Sequence, residues 1–136
     1  MDDLVRLLSR ADKLLRAASD AALSEHGVRI GQNLVLEALW EQDGLAPGEL
    51  AARLGLTTPT IVNTATRMET AGLVVRRRDP ADARLVRLYL TGKALRAREP
   101  VEEARRRLEE RVAAALTEEE RRHVRTALEK IIKELA

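Results

Sequence analysis

The residues of this chain best suited to chemistry are cationic and lie in its middle. Between Arg53 and Arg98 there are ten Lys or Arg residues and three acids, whereas the rest of the 136 residues carries 14 basic and 19 acidic groups. Guanidinium groups bind phosphate oxygens through charge-assisted hydrogen bonds. A basic segment inside an acidic frame is therefore the charge distribution expected for contacts with a nucleic-acid backbone. The alternative interpretation is a solvated basic face.

Groups for covalent or metal-assisted catalysis are few. The chain has no Cys, and its His and Ser residues are His26, His123, Ser9, Ser19 and Ser24. They offer no set of nucleophile, base and orienting group, two scattered His are poor metal ligands, and no Gly-rich phosphate loop is present. We expect no enzymatic activity, no metal site and no cofactor.

Composition favours a helical protein outside the membrane. Leu, Ala, Arg and Glu are the most frequent residues, a bias typical of long helices. No apolar run approaches the ~18–20 residues that span a bilayer, and the acidic start, Met1-Asp2-Asp3, is unlike a secretory signal. We expect a cytoplasmic protein without a membrane partner.

Two short helices joined by a tight turn must position part of the basic segment. Pro47 suits the first turn of the first helix, and Gly55 suits the C′ position after its end. Thr57 or Thr58 can cap the second helix, which ends before Gly72. The pair is a helix-turn-helix candidate. Its apolar positions at helical spacing are Leu50, Ala51, Leu54, Ile61, Ala65 and Met68.

A β-hairpin is predicted directly after this pair. Val74 and Val75 precede three arginines, the segment 79–83 has the composition of a turn, and the next apolar residues alternate with other side chains. Because an isolated hairpin is only marginally stable in water, we expect it to pack on the helices as a wing.

Long amphipathic helices are predicted at both ends of the chain. Thr91 can cap the second of them, in which Pro100 is expected to cause a kink or break near Glu99, and Thr117 with Glu120 forms a capping box for the last. The small winged region cannot cover their apolar stripes, so pairing with a second chain is the simplest solution. The alternative is that the terminal helices cover one another. The predicted dimer contacts are Leu4, Leu8, Val124, Leu128, Ile131, Ile132 and Leu135.

The order of these elements and several motifs resemble the MarR family of transcriptional regulators. The motifs are Ile30–Leu36 (IGQNLVL), Glu49–Leu54 (ELAARL), Arg67–Val74 (RMETAGLV), Arg76–Arg84 (RRRDPADAR) and Leu88–Thr91 (LYLT). Pattern and resemblance together predict a mainly α fold with a small β-hairpin, a winged helix-turn-helix flanked by N- and C-terminal dimerisation helices.

The expected parts form one compact domain. They are an N-terminal dimerisation helix in residues 1–29, a winged helix-turn-helix DNA-binding region in 30–91, with the recognition helix at about 58–70 and the wing at about 73–90, and C-terminal dimerisation helices in 92–136. In many members of the family a small, often anionic or phenolic ligand binds between the dimer helices and the winged region. Trp40 can line such a crevice, although a position in the core is the more common environment for Trp.

On the predicted recognition helix, the residues opposite the apolar stripe face DNA. The N-terminal part of such a helix reaches base edges in the major groove, where Asn63 can pair with adenine and Val62 can contact thymine methyl groups. An ordinary exposed polar residue is the alternative for Asn63, and Arg67 can instead bind a phosphate, Glu69 or a neighbouring chain. The predicted major-groove residues are Thr58, Pro59, Thr60, Val62, Asn63, Thr66 and Arg67.

Backbone contacts are predicted beside this helix and along the wing. Thr57 and Arg53 are expected to contact phosphates, with helix capping as the alternative for Thr57. Arg84 at the wing tip can enter an A·T-rich minor groove, and Asp82 can brace the Arg84 guanidinium bidentately or hold Arg78. The alternative for this pair is a surface ion pair of little energetic value. The remaining wing residues expected to neutralise phosphates are Arg76, Arg77, Arg78 and Arg87.

These observations predict a homodimeric, sequence-specific regulator of transcription that acts as a repressor on double-stranded DNA. The expected operator is pseudo-palindromic, with half-sites about one helical turn apart, and the resemblance leaves release by a small-molecule effector open. Two alternatives belong to other classes: a winged-helix module that binds proteins, and an architectural protein that binds DNA without sequence preference.

Overall fold

Six helices and a two-stranded antiparallel sheet make up the described part of the chain, residues 3–136 of a computed structural model. The expected mainly α fold with a small hairpin is confirmed. Met1 and Asp2, part of the acidic start, lie outside the described residues. The elements are α1 (Leu4–Ser24), α2 (Gln32–Glu41), α3 (Pro47–Leu54), α4 (Thr58–Thr70), β1 (Val74–Arg78), β2 (Val86–Leu90), α5 (Gly92–Ala114) and α6 (Glu118–Leu135).

The chain forms two compact units, one that ends at Ala104 and one of residues Arg105–Ala136. The division lies inside α5, whereas the sequence analysis expected a boundary after residue 91. The arrangement of all elements in one compact domain stays a prediction.

The core of the first unit is built on the winged region and the start of α5. Each large apolar side chain that becomes fully buried contributes about 1.5–3 kcal/mol to folding. Trp40 is buried and its indole Nε1 donates a hydrogen bond to the carbonyl oxygen of Ala94 at 3.1 Å, so Trp40 belongs to the core. The largest fully buried side chains are Leu36, Leu39, Leu50, Ile61, Met68, Leu73, Leu88, Val28, Val35, Val74 and Val101.

The hairpin is attached to the helices through its second strand. Strands β1 and β2 pair antiparallel, with Val74 opposite Leu90. On the other side of β2, Leu88 pairs with Leu45: the Leu88 amide donates to the Leu45 carbonyl at 3.0 Å, and the Gly44 amide donates to the Leu88 carbonyl at 3.1 Å. This bridge was not predicted, because a single residue between a turn and Pro47 has no alternation to mark it as a strand.

Gly44 makes the bridge possible. Its φ of 76° is in the left-handed region, and a Cβ at this position would lie 2.8 Å from Cε1 of Tyr89. The Asp43 carboxylate fixes the turn, since its Oδ1 accepts hydrogen bonds from the amides of Gly44 at 3.0 Å and Leu90 at 2.9 Å. Any side chain at position 44 would therefore disturb the attachment of β2.

Helix α5 continues through Pro100, so of the kink or break expected near Glu99 the break is wrong, while the kink stays a prediction. Proline removes one backbone donor and crowds the preceding turn, but the next residue, Val101, is fully buried in the core and its packing opposes a break. The predicted cap is present: the Thr91 hydroxyl accepts from the Ala94 amide at 3.2 Å.

The terminal helices leave much apolar surface exposed. In α1 only Leu23 is buried, whereas Leu4, Val5, Leu7, Leu14 and Leu15 are exposed. In the second unit α6 buries no residue, and Ile132 is 65% exposed. The predicted capping box of α6 is confirmed by the bonds from Thr117 N to Glu120 Oε1 at 2.9 Å and from Glu120 N to Thr117 Oγ1 at 3.1 Å. Neither helix is stabilised by burying its stripe within the chain.

Candidate nucleic-acid interface

Helices α3 and α4 form the predicted helix-turn-helix. The turn depends on Gly55, whose φ of 67° closes α3 in the left-handed conformation. Thr57 caps α4 by accepting from the Thr60 amide at 3.3 Å, and its Oγ1 lies 2.8 Å from that of Thr60. The Thr57 hydroxyl is therefore engaged in capping, the alternative considered for it, while Arg53 is bonded through Nη2 to Gln42 Oε1 at 2.9 Å.

Helix α4 separates its residues into two faces. Ile61, Ala65 and Met68 are at most 1% exposed and hold the helix against the core. The side chains of Asn63 and Arg67 have no hydrogen bond or ion pair to any residue in the described range 3–136. All the residues predicted to meet the major groove are exposed, namely Thr58, Pro59, Thr60, Val62, Asn63, Thr66 and Arg67.

Arg76 of β1 reaches back to α4 instead of pointing away from the protein. Its Nη2 donates to Thr66 Oγ1 at 2.6 Å and to the Val62 carbonyl at 3.3 Å, and its Nε lies 4.0 Å from the Glu69 carboxylate. The Thr66 hydroxyl in turn donates to the Val62 carbonyl at 3.0 Å. Arg76 thus ties the hairpin to the exposed face of α4, and the Thr66 hydroxyl proton is already used.

Asp79 organises the turn at the wing tip, a role that the sequence analysis missed. Its Oδ1 accepts hydrogen bonds from the amides of Ala81 at 2.7 Å and Asp82 at 3.1 Å. Its Oδ2 accepts from Arg87 Nε at 2.7 Å, and this hydrogen bond, followed by those from the backbone, lowers the pKa of Asp79. The signal was available, because an Asp that opens a turn commonly binds amides two or three residues later.

Arg84 is almost fully exposed, with 93% of its side chain accessible. Asp82 Oδ1 accepts from the Arg84 amide at 3.1 Å and from its Nε at 3.3 Å. The expected bidentate brace is wrong, because one carboxylate oxygen accepts from the backbone and Nε, which leaves both terminal nitrogens of Arg84 without a partner in the described residues. The Arg78 side chain likewise makes no hydrogen bond or ion pair within residues 3–136, so Asp82 holds Arg84 and not Arg78.

Arg87 occupies a very different environment. Its side chain is 26% exposed and bonds to Asp79, to the Gly44 carbonyl through Nη1 at 2.9 Å, and to Glu49 Oε1 through Nη1 at 3.0 Å. The hydrogen bond to Asp79 is the main cause that raises the pKa of Arg87. All these acceptors belong to the protein, which leaves Arg87 poorly placed to neutralise a phosphate.

Arg77 lies over an aromatic ring. Its Cζ is 5.7 Å from the centroid of Tyr89, a cation–π distance. The predicted set of phosphate-neutralising wing residues is thus divided: Arg78 has no protein partner in the described range, Arg77 rests on a ring, and Arg76 and Arg87 are bound to the helices.

A cavity of about 550 Å³ lies between α1, the connection to α2, and α4. Its cationic groups are not equivalent: Arg16 pairs with Asp12 at 3.0 Å, and Arg29 pairs with Asp20 at 2.9 Å. Arg67 is the lining guanidinium that lacks a protein partner in the described range. The lining residues are Arg16, Ala17, Asp20, Arg29, Ile30, Gln32, Thr64 and Arg67.

This geometry defines a winged helix-turn-helix protein, in which a recognition helix and a β-hairpin lie side by side. A family model described as MarR family matches residues 26–85. The HTH-type transcriptional repressor Rv2887 of Mycobacterium tuberculosis is 33% identical over 126 residues, which are 92% of this chain and 90% of that protein. The chain belongs to the MarR family of DNA-binding transcriptional regulators, and the expectation that it is not an enzyme is confirmed.

Other comparisons agree with this assignment. The transcriptional regulator TtmR of Methylorubrum extorquens is 41% identical over 71 residues, but these are only 36% of that protein and 52% of this chain. The PcaV regulator of Streptomyces coelicolor has a TM-score of 0.88 at 25% identity, with 98% of each chain covered. MepR of Staphylococcus aureus, solved as a DNA complex, shares the fold with a TM-score of 0.87 at 24% identity, over 98% of this chain and 99% of that one. In residues 3–136, no helix combines the length and the apolar character that a membrane span requires.

Proposed function

We propose that this protein is a repressor that binds a pseudo-palindromic operator as a homodimer in the cytoplasm. Each protomer places α4 in a major groove and the tip of its wing in the adjacent minor groove. The observation that carries the proposal is the pairing of an exposed, polar α4 face with a wing arginine that is oriented at its Nε and unoccupied at its terminal nitrogens.

The major-groove step rests on the exposed residues of α4. Asn63 presents one donor and one acceptor, the pattern that pairs bidentately with adenine N6 and N7. Val62 and the Thr methyl groups offer apolar contacts to thymine methyl groups. Because the Thr66 hydroxyl is bonded to Val62 and Arg76, its methyl group is the part that we assign to DNA.

The minor-groove step rests on Arg84. A guanidinium is attracted by the enhanced negative potential of a narrow A·T-rich groove. Asp82 holds the amide and Nε of Arg84, so the side chain loses less conformational freedom when it binds than an unbraced arginine would. The terminal nitrogens remain available for acceptors on the floor of the groove.

The homodimer is proposed from the exposed apolar faces of the terminal helices. Leu4, Leu7 and Leu14 of α1 are each about 60% exposed, and α6 buries no residue of its stripe. Apolar faces of this extent are typical of an interface. A second copy of the chain is the simplest partner, because a two-fold axis also generates two symmetric half-sites.

Release by a small anionic ligand is the regulatory part of the proposal. It is supported by the cavity that Arg67 shares with Arg16 and Arg29. Two of these guanidinium groups are balanced by carboxylates, whereas Arg67 is not and belongs to α4 itself. An anion bound there would compete with DNA for Arg67.

The proposal is tested by selection of binding sites from random DNA duplexes at physiological salt, with the Arg84→Ala variant in parallel. Enrichment of a two-fold symmetric site whose A·T-rich flanks are lost in the variant supports it. Binding without enrichment would assign the chain to architectural DNA-binding proteins. A protein that binds no duplex would instead fit a protein-interaction module. The mass of the wild-type protein in sedimentation equilibrium tests the dimer separately.

A further inference from the structure

We infer that Arg87 positions the wing for DNA recognition and does not itself contact the phosphate backbone. Arg87, Asp79 and Glu49, together with the carbonyl of Gly44, are called the wing clamp below. The inference rests on the proposed function, because it concerns how the wing tip is held in place for the minor groove.

The wing clamp joins three separate parts of the winged region. Arg87 lies on β2, Glu49 lies in the first turn of α3, and Asp79 begins the turn at the wing tip. The three contacts of the guanidinium with Asp79, Gly44 and Glu49 are between 2.7 and 3.0 Å long. One planar guanidinium therefore fixes the turn end of the hairpin strands to the helix-turn-helix.

The clamp continues to the wing tip through Asp79. While Oδ2 of Asp79 accepts from Arg87, Oδ1 accepts from the amides of Ala81 and Asp82. Asp82 then holds both the amide and the Nε of Arg84. An unbroken series of hydrogen bonds thus leads from α3 to the wing-tip guanidinium.

The net charge of the wing clamp also argues against phosphate binding by Arg87. Two carboxylates lie within 3.0 Å of its nitrogens, so the clamp carries a net charge of −1. Such a group does not attract a phosphate, whereas Arg78 on the paired strand has no protein partner in residues 3–136. Arg78, an arginine on the same hairpin, is therefore a matched control for Arg87.

The test measures operator affinity over a range of salt concentrations for Arg87→Gln and Arg78→Gln. A residue that neutralises one phosphate contributes close to one unit to the slope of log K against log salt. We expect Arg78→Gln to lower that slope by about one unit. We expect Arg87→Gln to weaken binding about tenfold while the slope stays at the wild-type value.

Two further variants separate the clamp from simple charge effects. Asp79→Asn removes a negative charge, which would strengthen DNA binding if long-range attraction alone decided the affinity. Asp79→Asn also replaces the Oδ2 atom that accepts a hydrogen bond from Arg87 Nε. We therefore expect this variant to bind DNA less tightly than wild type. Arg87→Lys keeps the charge but loses the planar fork, and we expect it to bind less tightly than wild type. The double variant Arg87→Gln/Asp79→Asn should lose little more than either single variant, because both break one network.

The outcomes are distinct from those that test the proposed function. A salt slope that falls by one unit in Arg87→Gln, or an affinity that rises in Asp79→Asn, would overturn the clamp. Wild-type affinity in Arg87→Lys would also overturn it. If Arg84→Ala binds like wild type, the minor-groove part of the proposed function is wrong. Circular dichroism of each variant shows whether it folds, and Arg87→Lys serves as the test if Arg87→Gln does not.

Discussion

The tip of the wing and its second strand, β2, use arginine in opposite ways. Arg84 at the tip is 93% exposed with its terminal nitrogens unoccupied, whereas Arg87, three residues later, is 26% exposed and bound to two carboxylates and a carbonyl. Both count equally toward the basic charge of the segment. The comparison indicates that the acceptors around a guanidinium, and not the number of positive charges, decide which arginines are free to bind DNA.

The largest effect is expected from the tip. Arg84→Ala should weaken operator binding roughly 30-fold, because it removes the wing's minor-groove contact. Its unfolding temperature should not change, since the exposed side chain stabilises little of the fold. Fluorescence anisotropy of a labelled duplex measures the affinity. An unchanged Kd would show that Arg84 at the tip and Arg87 on β2 do not differ in function.

A smaller effect is expected where the wing meets α4. Arg76→Ala removes the bonds to Val62 and Thr66 and should cost about 1 kcal/mol of folding stability. Operator affinity should fall about fivefold with the salt slope unchanged, because Arg76 acts from within the protein. Urea unfolding and a salt titration provide the two measurements. A slope reduced by one unit would move Arg76 into the group of direct phosphate contacts.

A further prediction concerns the pH dependence of the ion pair between Asp79 and Arg87. The folded pKa of Asp79 lies below its ordinary value of 3.8, so its ion pair with Arg87 contributes stability that is fully present above 3.8 and lost as the pH falls through the folded pKa. Wild type should therefore be more stable than Asp79→Asn at neutral pH, and the difference should shrink below 3.8. Glu120, whose pKa is also lowered, titrates in both proteins and cancels. A constant difference in unfolding temperature across this range would contradict the assignment.

The smallest effect is expected at Arg77. Its contact with the Tyr89 ring is exposed and is worth about 0.5–1 kcal/mol. Arg77→Lys keeps the charge and should change operator affinity less than twofold, which a duplex titration against wild type can detect. A loss as large as that of Arg84→Ala would show that Arg77 contacts the DNA directly.

Local patterns in the sequence predicted the fold well. Gly55, the Thr57 cap and the buried Ile61, Ala65 and Met68 of α4 all follow from signals within one or two helical turns. The break at Pro100 was wrong, because burial of the following residue and the remaining backbone bonds keep α5 continuous. Local sequence patterns thus predicted the elements correctly except at Pro100, where tertiary packing outweighs the local preference of proline.

The site was only partly predictable for a related reason. The brace of Arg84 by Asp82 spans two residues and was anticipated. The contacts of Arg87 with Gly44 and Glu49 span 43 and 38 residues, and no spacing rule brings these positions together. Arg76 and Arg87 were therefore grouped with the free arginines, although the fold surrounds them with acceptors.

The most direct test of the account is hydroxyl-radical footprinting of wild type and Arg84→Ala on the selected operator, each at saturating concentration. Hydroxyl radicals report the accessibility of the minor groove. We expect two symmetric protected minor-groove segments for wild type, lost in Arg84→Ala, while a parallel dimethyl sulfate footprint shows that α4 still protects guanine N7 in the major groove. An identical minor-groove footprint for both proteins would contradict it.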